Sequence, residues 1–215
     1  MVVEILNKEQ LKAGDVLLCY SSTFEGKVDE ISQGYSHAAI YTKNNGIVES
    51  SSSGVKTTTV SSLLDEYEHV AVLRNKELWN ENRLQKLDEY TKSQIGKKFN
   101  SIGMYKVPKR KVKQNIEATQ RIEGYFEGNY KPPAYERNAY FCSELVTSAF
   151  IHVGIIDESA SILLSPDTFS PEDIGRDKAF GFFVGYVISD DEYTIPENDL
   201  FRTIISQIRR ANQRL

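Results

Sequence analysis

The sequence has few of the residues that form covalent cross-links or metal clusters. It contains two cysteines, three histidines and one tryptophan in 215 residues. Two cysteines cannot form a disulfide framework or a cysteine zinc cluster, so we expect both thiols to be free. We expect no metal and no other cofactor.

Long hydrophobic runs are also missing. No run approaches the roughly 20 apolar residues that a membrane-spanning helix needs. Residues 1–11 include Glu4, Lys8 and Glu9 and lack the apolar stretch of a signal peptide. A net charge of −4 argues against a general nucleic-acid-binding protein. With 40% hydrophobic residues, the composition is typical of a soluble globular chain, and we expect a cytoplasmic location.

Cys142 stands at the start of a helical pattern. Apolar residues follow it with the spacing of one helical face: Leu145, Val146, Ala149, Phe150 and Val153. At the first turn of a helix, free backbone N–H groups and the helix dipole favour a negatively charged sulfur. Cys142 is therefore a nucleophile candidate, although a buried cysteine that only fills the core fits the local pattern equally well.

A predicted β-hairpin carries the second candidate group. Residues 35–41 and 47–50 are β-prone, and Asn44-Asn45-Gly46 lies between them. Antiparallel pairing brings His37 and Glu49 roughly opposite each other. A carboxylate beside an imidazole fixes its tautomer and stabilises the imidazolium. The alternative is a surface histidine with an unrelated glutamate nearby.

Other segments complete an α+β pattern around these candidates. Cys19 lies in an apolar run and is predicted to be an inert core thiol. His69 and His152 are predicted to be structural. The segments with clear patterns are a short helix at 4–12, strands at 16–20, 55–60, 70–73 and 179–188, a helix at 81–95 and a helix from 199.

Four motifs, taken in order, resemble the circularly permuted NlpC-type papain-like amidases, a group related to lecithin:retinol acyltransferase. They are Gly14-Asp15 before a strand, Ser36 to Ile40 with an acidic residue 12 positions after His37, Gly96-x-x-Phe99-Asn100, and Phe141 to Val146. The resemblance covers about residues 14–173. Ordinary papain-like enzymes place the cysteine before the histidine, whereas the permuted group reverses that order, as this chain does.

The resemblance implies a fold and a set of roles. It predicts an α+β permuted papain-like fold, with an antiparallel sheet or half-barrel and the cysteine helix packed on it. It makes Cys142 the nucleophile, His37 its general base and Glu49 the residue that orients His37. The acyltransferase branch usually has a second histidine at the third position, so Glu49 favours the bacterial amidase branch. Three neighbouring residues are predicted to contact substrate: Tyr20, Ser36 and Ser143.

Two basic segments lie outside this core, which we predict to be a single domain. Residues 104–138, predicted to be an insertion, contain five basic residues between 106 and 113. A solvated face is one interpretation, and a lid that recognises an anionic substrate or surface is another. The segment 199–215 is predicted to be a basic amphipathic helix that packs on the domain or a partner, or contacts anionic membranes.

The sequence favours a cysteine hydrolase that cleaves an amide bond in a small molecule or peptide. Acyl transfer or lipid-ester hydrolysis through the same thioester is a second hypothesis. A binding module without catalysis is a third. The sequence does not determine the substrate or the oligomeric state.

Overall fold

A computed structural model describes residues 4–23, 34–44 and 46–212, with side chains described up to residue 206. The strands are β1 Val16–Tyr20, β2 Tyr35–Tyr41, β3 Ile47–Ser51, β4 Gly54–Thr58, β5 His69–Arg74, β6 Lys98–Phe99, β7 Ala139–Tyr140 and β8 Phe182–Ile188. The helices are α1 Val60–Glu66, α2 Glu81–Gln94, α3 Ser101–Tyr105, α4 Val107–Phe126, α5 Cys142–His152, α6 Pro171–Arg176 and α7 Leu200–Asn212.

Six strands form one antiparallel sheet in the order β4-β3-β2-β1-β5-β8. β1 lies inside the sheet, and all five of its residues are buried, as expected for an apolar run covered on both faces. The Asp15 carboxylate before β1 binds the guanidinium of Arg74 at the end of β5, with N–O distances of 2.6 and 2.7 Å. This bidentate pair gives the Gly14-Asp15 motif a structural role, because it ties the start of β1 to the end of the neighbouring strand β5.

The cysteine helix α5 packs on β2 and β3 of this sheet and on α2. The predicted apolar stripe lies in the core, but every residue from Cys142 to Ile151 is buried. A helix covered all round must satisfy its polar side chains internally. Accordingly, Ser143 donates to the Phe169 carbonyl at 2.7 Å, and Thr147 donates to the Ser143 carbonyl at 2.9 Å. These features confirm the predicted α+β class, with a helix packed on an antiparallel sheet.

Two local predictions are wrong. The helix expected at 4–12 is only a 3-10 turn at Lys8–Gln10, because the preceding segment pairs with β8 through a bond from the Leu6 N–H to the Tyr186 carbonyl. The strand expected at 55–60 ends at Thr58. Thr59 then caps α1, accepting a bond from the Ser62 N–H at 3.1 Å, so a side-chain cap overrides the β-prone composition.

The 104–138 segment is largely helical. α3 and α4 account for its first two thirds, and α4 alone runs for 20 residues. The predicted C-terminal helix begins at Leu200 as α7, and its last three expected residues, 213–215, lie outside the described residues. Asn45 of the predicted hairpin turn lies outside them as well.

Both cysteines are free thiols. Cys19 is fully buried in the core, as predicted, and burial raises its pKa well above the ordinary value. Across the part of the chain that the structure describes, we find no helix that combines the length and the apolar character needed to cross a bilayer.

Candidate active site

Cys142 occupies the first position of α5, immediately after the extended N-cap residue Phe141. Glu144, two residues further on, turns back to accept the Phe141 N–H at 3.2 Å, which is one half of a capping box. The Asn100 amide of the Gly-x-x-Phe-Asn motif donates to the same carboxylate oxygen at 3.2 Å. Burial raises the pKa of Glu144 despite these bonds and the nearby Arg137. Glu144 and Asn100 therefore fix the start of the cysteine helix.

The hairpin places His37 and Glu49 on one face, though not directly opposite each other. Glu49 pairs in register with Ala39, and His37 pairs with Cys19 of β1. His37 is therefore the diagonal neighbour of Glu49, two residues along the same face, a separation that long side chains can bridge. The ring Nε2 lies 2.7 Å from Glu49 Oε2, and both residues are buried.

The Cys142 thiol lies near the His37 ring, close enough for each group to shift the pKa of the other. Burial lowers the pKa of His37, but the bonds to Cys142 and Glu49 outweigh burial and raise that pKa to about 10. Burial raises the pKa of Cys142, but the bond and charge of His37 and the N–H groups of Ala38 and Ser143 lower it overall. This balance favours a thiolate beside an imidazolium.

The Glu49 carboxylate also lies close to a lysine side chain. Lys56 lies opposite it on β4, with Nζ 3.5 Å from Glu49 Oε1. Burial raises the pKa of Glu49, but His37 and Lys56 together lower it below its ordinary value. Glu49 is therefore an anion that accepts the His37 Nε2–H and stabilises the protonated ring.

The sequence analysis missed three residues that shape the site. The Tyr67 ring stacks on the His37 ring, with centroids 5.4 Å apart and planes 6° from parallel. Ser50 donates to the Tyr140 carbonyl at 2.7 Å, which joins β3 to the chain just before Cys142. Lys56 is the third. Only the serine could have been suspected, from its place beside Glu49; nothing in the sequence connects Tyr67 to His37.

Two of the three residues predicted to contact substrate make other contacts. Tyr20 is buried and stacks on His69, with ring centroids 4.4 Å apart. The Ser143 hydroxyl donates a hydrogen bond to the Phe169 carbonyl. The Ser36 hydroxyl is buried and has no hydrogen-bond partner among the described residues. Their role as substrate contacts stays a prediction.

A second buried polar cluster centres on Asp199, just before α7. Its carboxylate accepts hydrogen bonds from the hydroxyls of Tyr35, at 2.6 Å, and Tyr186. It also lies 3.4 Å from His69 Nε2. Tyr193 contacts the other His69 nitrogen at 3.0 Å. His69 is thus structural, as predicted, and it is fully buried.

Within the described ranges, no group of three or more histidine, cysteine, aspartate or glutamate side chains is arranged to hold a metal ion. The site itself presents a thiol, an imidazole and a carboxylate, from Cys142, His37 and Glu49. A thiolate beside an imidazolium can act as a nucleophile toward a carbonyl carbon.

Comparison with known proteins finds a family match for the first half of the chain. Residues 10–112, just under half of the chain, match the family described as "Permuted papain-like amidase enzyme, YaeF/YiiX, C92 family". The matched segment contains His37 and Glu49 and ends before Cys142. None of the curated proteins is significantly similar in sequence.

One solved structure, the metalloprotein yiiX from Escherichia coli O157:H7, is similar to this chain with a TM-score of 0.45 and 16% identity, over 84% of this chain and 89% of that one. The family assignment does not depend on that similarity. The matched segment, with the order of histidine before cysteine, supports a permuted papain-like amidase family for this chain.

Proposed function

We propose that this protein is a cysteine amidase or peptidase in which Cys142 is the nucleophile, His37 the general acid and base, and Glu49 the residue that orients His37. The observation that most supports the proposal is the buried pair of His37 and Glu49, 2.7 Å apart, with Cys142 near enough to His37 for the ring to lower the pKa of the thiol. The match of residues 10–112 to a permuted papain-like amidase family supports amide hydrolysis as the reaction class.

The proposed reaction has two halves. The Cys142 thiolate attacks the amide carbonyl carbon, and the His37 imidazolium gives its proton to the leaving amine as the C–N bond breaks. The acyl group remains on sulfur as a thioester. Water then attacks the thioester carbon while His37 takes the proton from that water. The acid leaves, and the thiolate is restored for the next cycle.

The start of α5 is the proposed oxyanion site. The N–H of Cys142 stands at the first helical position, where backbone donors have no partner within the helix and the helix dipole adds positive potential. Removing one donor of this kind typically lowers rates about 10²- to 10³-fold. Because Glu144 and Asn100 fix this end of the helix, the donor is held in place before substrate arrives.

Alkylation by iodoacetamide tests the proposal without knowledge of the substrate. We expect wild-type Cys142 to react rapidly at neutral pH and to slow only as the pH falls through its lowered pKa. In His37→Ala the imidazolium is absent, so burial should raise the pKa of Cys142. Its alkylation at pH 7 should then fall about tenfold or more and recover at alkaline pH. The two profiles should converge once the pH exceeds the raised pKa of Cys142 in the variant.

Cys19 is the internal control, because burial raises its pKa and it should react slowly in both proteins. Mass spectrometry of tryptic peptides separates the two thiols. Equal and slow labelling of both cysteines in the wild type, or an unchanged profile in His37→Ala, would contradict the proposed pair.

Tyr67 is expected to position His37. Its ring covers one face of the imidazole, and aromatic pairs of this kind contribute about 0.5–1.5 kcal/mol. We expect Tyr67→Leu to slow Cys142 alkylation roughly three- to tenfold and to shift its pH profile. Tyr67→Phe keeps the ring and should retain the wild-type profile. If the phenylalanine variant is as slow as the leucine variant, stacking is not the cause.

A further inference from the structure

Exposed hydrophobic side chains are concentrated on α3 and α4. Seven of the eleven large hydrophobic residues exposed in the described part of the chain lie between 102 and 126. Tyr105 is 80% exposed, Ile116 77% and Val112 59%. Single exposed hydrophobic residues are ordinary on protein surfaces, whereas clusters of them mark interaction sites.

These residues do not face the protein core. The side of α4 that faces the core carries Val107 and Gln114, the buried residues of this helix. Val112 follows Val107 by five positions, about 140° around the helix, and Ile116 follows Gln114 by two, about 200°. Val112 and Ile116 therefore lie on the side of α4 away from the core. Folding of the domain does not account for their apolar character.

The same surface is basic in a protein of net negative charge. Residues 102–113 contain five lysines and arginines and no acidic residue, although the whole chain has a net charge of −4. Lys111 pairs with Asp173, Arg110 with Asp167 and Lys113 with Glu117. Lys106 and Lys109 are exposed and, among the described residues, have no acidic partner within 4 Å.

We propose that this surface docks on an anionic lipid bilayer. The α4 patch consists of exposed residues of α3, α4 and the residue between them: Ile102, Tyr105, Val112 and Ile116 with Lys106, Lys109 and Lys113. A lipid surface fits because Val112 and Ile116 stand on the outward side of a helix, where aliphatic side chains can enter the headgroup region without a complementary groove. Exposed lysines next to such a row attract anionic headgroups. Tyr105 adds an aromatic ring of the kind enriched at membrane interfaces.

Vesicle sedimentation tests the proposal. The full chain should bind vesicles of phosphatidylcholine and phosphatidylserine, bind pure phosphatidylcholine much less, and lose binding as salt is added. Val112→Ser combined with Ile116→Ser should weaken binding about tenfold or more through the lost apolar area. Lys106→Gln combined with Lys109→Gln should weaken binding and reduce its salt dependence. All four positions are exposed, so thermal unfolding should be unchanged.

Matched controls lie outside the patch. Lys8→Gln with Lys12→Gln removes two other exposed lysines, and Phe182→Ser removes another exposed apolar side chain; each should bind as the wild type does. Absent or salt-insensitive vesicle binding overturns the proposal. So does loss of binding only in Arg209→Gln with Arg210→Gln, which would assign it to α7. Gel filtration gives a further test. If the wild type is a dimer and the Val112 and Ile116 changes dissociate it, the patch is an interface between two copies and the lipid proposal is overturned.

Docking does not depend on the proposed chemistry. Cys142→Ala should bind vesicles as the wild type does, because the α4 patch contains none of the proposed catalytic residues. Failure of vesicle binding with normal Cys142 alkylation therefore rejects the lipid proposal alone. Normal vesicle binding with slow, His37-independent alkylation rejects the proposed function alone.

Discussion

Cys142→Ala is expected to abolish amide hydrolysis, with a fall in rate on the order of 10⁴-fold or more. Alanine has no nucleophilic atom, so no thioester can form, and the other groups of the site retain only binding and polarisation of the carbonyl. The measurement is turnover of a panel of N-acyl amino acids and short peptides by wild type and variant. The panel also identifies which class of amide is cleaved.

The matched control is Cys19→Ala. Cys19 is the other free thiol, and it is buried in the core opposite His37 on the neighbouring strand. Its loss leaves a small cavity and should lower stability slightly while hydrolysis continues. A Cys142→Ala protein that hydrolyses the panel at the wild-type rate would remove Cys142 from the reaction. Loss of activity in Cys19→Ala, with activity retained in Cys142→Ala, would mean that Cys19 and not Cys142 is the nucleophile.

Asp199→Ala is expected to lower the free energy of unfolding by about 3–5 kcal/mol, more than any other variant named above. The change leaves the buried hydroxyls of Tyr35 and Tyr186 without their acceptor and removes the anion beside His69. It also removes the acceptor for the Phe201 N–H at the start of α7. Chemical denaturation of wild type and variant at neutral pH measures the difference.

The pH dependence of this loss has a defined sign. Burial raises the pKa of Asp199, but hydrogen bonds from His69, Tyr186 and Tyr35 lower it overall. A carboxyl whose pKa is lowered on folding stabilises the protein above its unfolded pKa of about 3.9. That contribution is lost as the pH falls through the folded value. The stabilities of wild type and Asp199→Ala should therefore approach each other in acid.

Asp177→Ala is the control for capping alone. The Asp177 carboxylate also accepts a backbone N–H two residues ahead, from Ala179 at 2.9 Å. Its loss should lower stability by about 1 kcal/mol, the usual contribution of a cap. If Asp199→Ala has no larger effect than Asp177→Ala, the tyrosines and His69 do not depend on Asp199 for stability.

Local sequence was sufficient to predict those elements whose structure depends on residues within one short segment. The bounds of β1 and β2, the start of α5 at Cys142 and the hairpin that carries His37 and Glu49 were all predicted from apolar spacing and turn residues. The 20-residue helix α4 was not predicted. Only Val107 and Gln114 of that helix are buried, and its most apolar exposed row faces away from the core, so no single buried stripe indicated a helix.

Contacts between distant segments could not be predicted in this way. The order of the motifs suggested that Cys142 pairs with His37. No local sequence pattern, however, predicts a contact between side chains that are more than a hundred residues apart in the chain. The stacking of Tyr67 on His37 and the gathering of Tyr35, His69 and Tyr186 around Asp199 had no sequence signal at all. Both depend on which strands become neighbours in the sheet.

The sequence by itself determined that Cys142 begins a helix, that residues 16–20 and 35–41 form strands and which residues carry reactive groups, because hydrogen bonding within a few residues and apolar periodicity fix those features. The tertiary structure alone decided that His37 meets Glu49 diagonally, that Ser143 bonds to Phe169 and that α4 exposes its apolar row. Those outcomes depend on strand register and on which surfaces pack together. Register and packing are set by the sum of many weak contacts between segments far apart in the chain.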